Sequence, residues 1–189
     1  MTDTLTLFFS MIAVSGSLFV VAMAVLGLVR LTSGNEVGEV FLEQLRPLAA
    51  PLAAIVAVSA MLGSLYYSEI ANYQPCRLCW IQRGFMYPSA IILVILVAAR
   101  ASRRLLLVPM ALSVVGFAVS IYHRMEQAFP DSVGGACSLD VPCSARWFNE
   151  FGFITIPTLA AAAFALIVTF LVVALRAPAD TAPVAADPT

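Results

Sequence analysis

Five stretches of this chain are each long and apolar enough to cross a bilayer as a helix: Leu5 to Val29, Leu48 to Tyr67, Cys79 to Ala99, Leu105 to Tyr122 and Phe153 to Leu175. A helix needs about 20 such residues to cover roughly 30 Å of hydrocarbon. The runs are continuously apolar, without the two-residue alternation of a membrane strand, and a helix satisfies its own backbone groups where no water can. Hydrophobic residues make up 61% of the chain and charged residues 11%, against about 45–50% and about 25% in soluble domains. The expected fold class is an all-α integral membrane protein with five spans. Little chain remains for a soluble catalytic domain, and no nucleic-acid partner is expected.

The first span carries Ala22-Met23-Ala24, which has the small-x-small look of a cleavage site. Its apolar stretch exceeds a signal-peptide core, however, and Met1-Thr2-Asp3-Thr4 lacks a positive leader. A retained helix is the expectation.

Orientation rests on arginine, because all ten basic residues are Arg. Arg100, Arg103 and Arg104 crowd the break between the third and fourth spans, and Arg30 and Arg46 bracket the break between the first and second. The positive-inside rule places these breaks in the cytoplasm, with Arg176 beside them, and leaves Arg77, Arg83, Arg124 and Arg146 toward the other side. The N-terminus then faces out and the C-terminus in, and the remaining two breaks are extracytoplasmic.

Those two breaks hold all four cysteines, Cys76 with Cys79 and Cys137 with Cys143. Disulfides form and persist on the outer side of a membrane, whereas cytosolic thiols are kept reduced. Charge and cysteine placement thus point independently to two dithiol/disulfide couples. Pro75 suits a first helical position, which would put the Cys-x-x-Cys on the opening turn of the third span, where unpaired amides stabilise a thiolate. Positions 76, 79 and 83 follow i, i+3, i+7 spacing, so Arg83 shares a helical face with both sulfurs. Its guanidinium either serves a thiolate or an anionic acceptor there, or snorkels to the interface.

A Cys-x-x-Cys alone is also found in zinc sites and haem attachment. Trp80, not His, follows Cys79, which argues against haem. A four-thiolate zinc site is chemically possible, but nothing else suggests one, and no metal is expected. The second pair lies in a longer loop, with Gly134 and Gly135 before Cys137 and Pro142 before Cys143. From Ser144 to Phe151, Trp147, Phe148 and Phe151 share the segment with Arg146, Asn149 and Glu150, an amphipathic composition suited to the headgroup layer or to an ordinary aromatic belt.

Cys76-Arg77-Leu78-Cys79-Trp80-Ile81-Gln82-Arg83 followed by Met86-Tyr87-Pro88 resembles the first-loop signature of the DsbB/BdbC family of quinone-dependent disulfide-generating membrane proteins. Phe151-Gly152-Phe153-Ile154-Thr155-Ile156-Pro157, after a close cysteine pair, looks most like the BdbC branch. The resemblance covers roughly residues 48 to 175. It implies a four-helix thiol:quinone redox core there, preceded by an added transmembrane helix and cytoplasmic loop (1–47) and followed by a disordered cytoplasmic tail (176–189).

The function it implies is re-oxidation of a DsbA-like, thioredoxin-fold extracytoplasmic protein, with two electrons passed to a quinone in the bacterial cell membrane. By the same resemblance, Cys137 would meet the donor, Cys143 would exchange with Cys76, and Cys79 would deliver electrons to the quinone beside Arg83. His123, the only histidine, matches a position where the family often has a histidine near the quinone. Neither the quinone, ubiquinone or menaquinone, nor the oligomeric state can be read from these motifs.

Three other readings are weaker. A vitamin K epoxide reductase-like protein would carry its loop pair before the Cys-x-x-Cys, the reverse of the order here. A reductive electron carrier would have its working cysteines within spans. An inert scaffold with two structural disulfides predicts no turnover.

Overall fold

The computed structural model describes residues 2–33, 38–130 and 142–176. Cys137 and the tail from Ala177 to Thr189 lie outside them. Helix α1 spans Thr2–Ser33, and α2 spans Glu39–Leu65 and runs into a π-helical turn at Tyr66–Ile70. Helix α3 covers Arg77–Ala98, α4 covers Leu107–Ala128 after a 3-10 turn at Arg103–Leu106, and α5 covers Ile156–Leu175. All five are long and apolar enough to cross a membrane. The chain is therefore a multi-pass, all-α membrane protein.

Several helices overrun their apolar stretches. Helix α2 starts at Glu39 and α4 continues through Gln127, because backbone hydrogen bonding does not stop where hydrocarbon stops. Helix α5 instead begins later than its apolar run. Phe151 and Gly152 turn the chain at φ 52° and 79°, and Pro157 sits in the opening turn. Positive φ costs a side-chain-bearing residue strain that glycine avoids, so Gly152 suits the second of these positions.

Helices α2, α3, α4 and α5 close a four-membered ring in that order, and α1 lies outside it against α5. Small residues set the spacing. Ala49, Ala53 and Ala57 on α2 are fully buried among Leu93, Ile167 and Leu171. Gly116 on α4 faces the Phe164 ring so closely that a Cβ there would lie 2.3 Å from it. Among lipid-facing helices, such close approach supplies the dispersion contacts that hold the bundle together. Gln82 on α3 pairs across the ring, donating to Ser120 on α4 at 3.0 Å, and Ser120 donates to the Gly116 carbonyl of its own helix at 2.8 Å.

Helix α1 is tied at both ends. Tyr67 donates to Thr6 at 3.4 Å at one end. At the other, Glu39 accepts from both Arg30 and Arg46, the latter at 2.7 Å. Among the described residues its backbone approaches α5 but not α2. Among the described residues, side chains bridge the space between α1 and α2.

Candidate functional site: a dithiol between two cavities

The start of α3 is built by Cys76 itself. It is the N-cap residue, extended at φ −71° and ψ 174°, and its sulfur accepts the Cys79 amide at 3.4 Å. This corrects the expectation that Pro75 opens the helix: Pro75 lies one residue before the cap, and the sulfur takes the role a serine oxygen plays at other N-termini. Cys76 and Cys79 are free thiols with their sulfurs 3.0 Å apart. The Cys79 thiol, donating to the Cys76 sulfur, and then His123 pull the Cys76 pKa from 9.0 down to about 4, against the opposing effect of burial.

His123, on the last turns of α4, is almost fully buried, with Nε2 3.6 Å from Cys76 Sγ and 3.2 Å from the Cys143 carbonyl oxygen. A carbonyl only accepts, so a hydrogen bond to it requires the proton on Nε2. Cys143 is disulfide-bonded and 1% exposed. The Cys76 sulfur, a His123 ring nitrogen and the Cys143 sulfur all lie within 4.8 Å of one another. Residues far apart in sequence thus meet at one end of the bundle, opposite the end that holds Arg30, Glu39 and Arg46.

Gln127, which the sequence did not single out, fastens this arrangement. Its amide nitrogen donates to the Ala145 carbonyl at 3.1 Å, and its side-chain oxygen accepts from Thr155 at 2.9 Å. Arg146 donates to its backbone carbonyl at 2.6 Å. One buried side chain therefore joins the end of α4, the Cys143 segment and the start of α5.

Arg83 turns into the bundle rather than out to the interface. Its Nε and Nη2 donate to the hydroxyl and carbonyl of Ser64 on α2, at 3.0 and 2.9 Å, and its guanidinium lies 5.0 Å from the centre of the Trp80 ring. Tyr87 donates to the same Ser64 hydroxyl at 3.4 Å. Ser64 was also unanticipated, and Tyr87 was read only as part of the motif that follows Arg83; a serine within an apolar run is the signal that could have found Ser64.

Arg83 and Cys79 line one cavity of about 500 Å³, walled mainly by apolar side chains of α1, α2 and α5. Above it, Tyr73 stacks on Trp147 with ring centres 5.0 Å apart, and Tyr67 stacks on Tyr73 at 5.7 Å. Trp147 and Phe148, expected at the headgroup layer, are thus part of an aromatic roof. His123 does not line this cavity. It borders a separate space of about 10 Å³ shared with Cys76, Cys79, Gln127 and Trp147, room for about one water. Cys79 borders both.

A dithiol whose buried, low-pKa sulfur lies beside a further, disulfide-bonded cysteine, on a helical membrane bundle, defines a membrane protein of thiol–disulfide exchange. Residues 46–175 match the family of the Disulfide bond formation protein DsbB, and the chain belongs to that family. Disulfide bond formation protein C of Bacillus subtilis (strain 168) is 48% identical over 119 residues, covering 62% of this chain and 85% of that protein. The Probable disulfide formation protein of Oceanobacillus iheyensis is 42% identical over 124 residues, 65% of this chain and 85% of the relative. The Probable disulfide formation protein C 2 of Bacillus cereus (strain ATCC 10987) is 37% identical over 130 residues, 69% and 93% respectively. No solved structure matches. The resemblance read from Cys76 to Arg83 and from Phe151 to Pro157 is borne out, and the protein is a thiol oxidoreductase of disulfide formation. Helix α1 lies outside the matched region.

Proposed function

We propose that this protein is a thiol:quinone oxidoreductase that re-oxidises a thioredoxin-fold extracytoplasmic donor. The observation that carries the reading is the position of Cys79, which borders both the small space at Cys76 and His123 and the large apolar cavity at Arg83.

The relay is a series of thiolate attacks on disulfide sulfurs. A donor thiolate attacks Cys137 of a Cys137–Cys143 disulfide and releases Cys143 as a thiolate. Cys143 attacks Cys76 of an oxidised Cys76–Cys79 pair and releases Cys79. The donor's second thiolate resolves its mixed disulfide, leaving with its disulfide and freeing Cys137. Cys137 then attacks Cys143, restoring the loop disulfide and releasing Cys76. The net change is an oxidised donor and a reduced Cys76/Cys79 dithiol. Stabilisation of the Cys76 thiolate favours this reduced pair, so it makes the oxidised pair a stronger acceptor of the donor's electrons. His123 holds a proton on Nε2 between the two exchanging sites.

The cavity suits a quinone by its volume, within the roughly 300–1,000 Å³ of small-molecule sites, by its apolar walls and by the Arg83 guanidinium at its polar end. A quinone bound there supplies an acceptor for two electrons and two protons. Cys79 and Arg83 would hold its polar end, with Ser64 and Tyr87 keeping the guanidinium in place.

In this reading residues 48–175 form the redox core, both cysteine pairs are extracytoplasmic, and six arginines (30, 46, 100, 103, 104 and 176) lie toward the cytoplasm against four (77, 83, 124 and 146) outside. The test is anaerobic reduction of a soluble quinone analogue by the purified protein with a reduced thioredoxin-like donor. Turnover lost in Cys76→Ser and Cys79→Ser, with Arg83→Ala raising the quinone KM more than it slows donor exchange, supports the reading. A folded protein inert toward several quinones and donors refutes it.

A further inference from the structure

The cavity at Cys79 is elongated. Along α2 and the π-helical turn that follows it the lining runs from Ile55 to Ser68, roughly 20 Å of helix at about 1.5 Å per residue. Only the end near Cys79 carries the cationic Arg83. The rest is mostly apolar, and part of it comes from a helix that the family match does not include: Phe8, Phe9, Ile12 and Ala13 of α1 all line it.

The exposures of these residues locate an opening. Ala13 is buried at 7%, whereas Phe8 and Ile12 are 56% and 48% exposed, as is Ile55 of α2 at 61%. Residues that line a cavity while remaining half exposed form its rim. This rim lies between α1 and α2, where, among the described residues, the two backbones stay apart and side chains bridge them. Toward the roof the gap is closed by Phe9 against Tyr67 and by the Tyr67 to Thr6 hydrogen bond. The opening therefore faces the apolar side of the bundle.

We propose that α1 is the lipid-side wall of the acceptor cavity, and that the gap between α1 and α2 receives the hydrocarbon tail of a long-chain quinone, making Phe9 and Ala13 specificity-determining residues. The inference rests on the thiol:quinone reading and deepens it. Without α1 the cavity would be open to lipid along that side, so a tail would gain little by entering. With it, each methylene meets protein on several sides.

The chain's two tryptophans give a readout that needs no turnover: Trp147 lines the cavity, and Trp80 lies against Arg83. Quenching of their fluorescence in the full chain in detergent yields Kd for a tail-less benzoquinone and for the same ring with a decyl tail. The ratio of the two is the tail's contribution. Ala13→Phe, which fills the wall, should cut that ratio several-fold by displacing the tail from the protein atoms it packs against. Phe9→Ala, which removes part of the wall, should also lower it and serves alone if Ala13→Phe does not melt as a folded protein. An unchanged ratio in the folded variants overturns the role of α1 and leaves the thiol:quinone reading standing. A wild-type protein that exchanges thiols with its donor but is quenched by neither quinone overturns that reading, and this inference with it.

Discussion

Replacing Cys79 with alanine should raise the Cys76 pKa by one to two units and make the remaining thiol markedly less reactive near neutral pH. In the reduced wild-type protein the Cys76 sulfur has the Cys79 sulfur at 3.0 Å, the Cys79 amide at 3.4 Å and His123 Nε2 at 3.6 Å. Together they hold its pKa at about 4. A hydrogen bond to a charged group is worth about 1.5–3 kcal/mol, and one pKa unit corresponds to about 1.4 kcal/mol, which gives the expected rise for loss of the Cys79 donor. His123→Ala should raise the pKa by a smaller amount, since Cys79 is the larger cause. The assay is the rate of iodoacetamide alkylation at Cys76 against pH, localised by peptide mass spectrometry, with the loop disulfide intact. The wild-type rate should be level through neutral pH and fall only toward the acid midpoint. A free cysteine, by contrast, is only a few per cent thiolate at pH 7. A wild-type midpoint near 9.0, or one that moves with neither substitution, refutes the argument.

The same shift fixes a stability profile. Folding depresses this pKa, so for the reduced protein the thiolate's contribution is complete above about 9, the unfolded value, and is lost as pH falls through about 4. Thermal melts of the reduced protein should show a lower Tm at acid pH, and Cys76→Ser should flatten that dependence. With Cys79 and Cys137 both replaced by alanine, Cys76 and Cys143 should form a disulfide under mild oxidant, because their sulfurs already lie within 4.8 Å; absence of the cross-linked peptide would contradict the relay order. Gly116→Ala should destabilise the bundle by about 1–3 kcal/mol, as overpacking does, since its Cβ would meet the Phe164 ring at 2.3 Å. An unchanged denaturation midpoint would show that the ring gives way freely. Gln127→Leu should slow Cys76–Cys143 exchange, since Gln127 joins the Cys143 segment to α4 and α5, while leaving quinone affinity near wild type in the quenching assay.

Much of this site is legible in the chain. Two cysteines at helical spacing followed by Arg83 lie on one helix, so local geometry alone brings Cys79 and Arg83 to a common cavity. His123 shows the limit. Its place near the end of a span is readable, but whether it faces the Arg83 cavity or Cys76 depends on how α4 is rotated against α3, which packing decides. Ser64 and Gln127 were missed for a related reason. Each is an unremarkable polar residue until a partner from another helix, Arg83 or Thr155, arrives within hydrogen-bonding distance.

The sequence by itself determined the class of structure and the chemistry. Apolar runs of spanning length admit only helices in lipid, because every backbone group must find its partner within the segment. The two cysteine pairs and their flanking motifs pointed to thiol exchange. Tertiary structure alone decided that Cys76, His123 and Cys143 converge, that Cys79 borders two separate spaces, and that the extra N-terminal helix walls the larger one. These are contacts between residues far apart in the chain, set by which small side chains let helices approach and which gaps they leave.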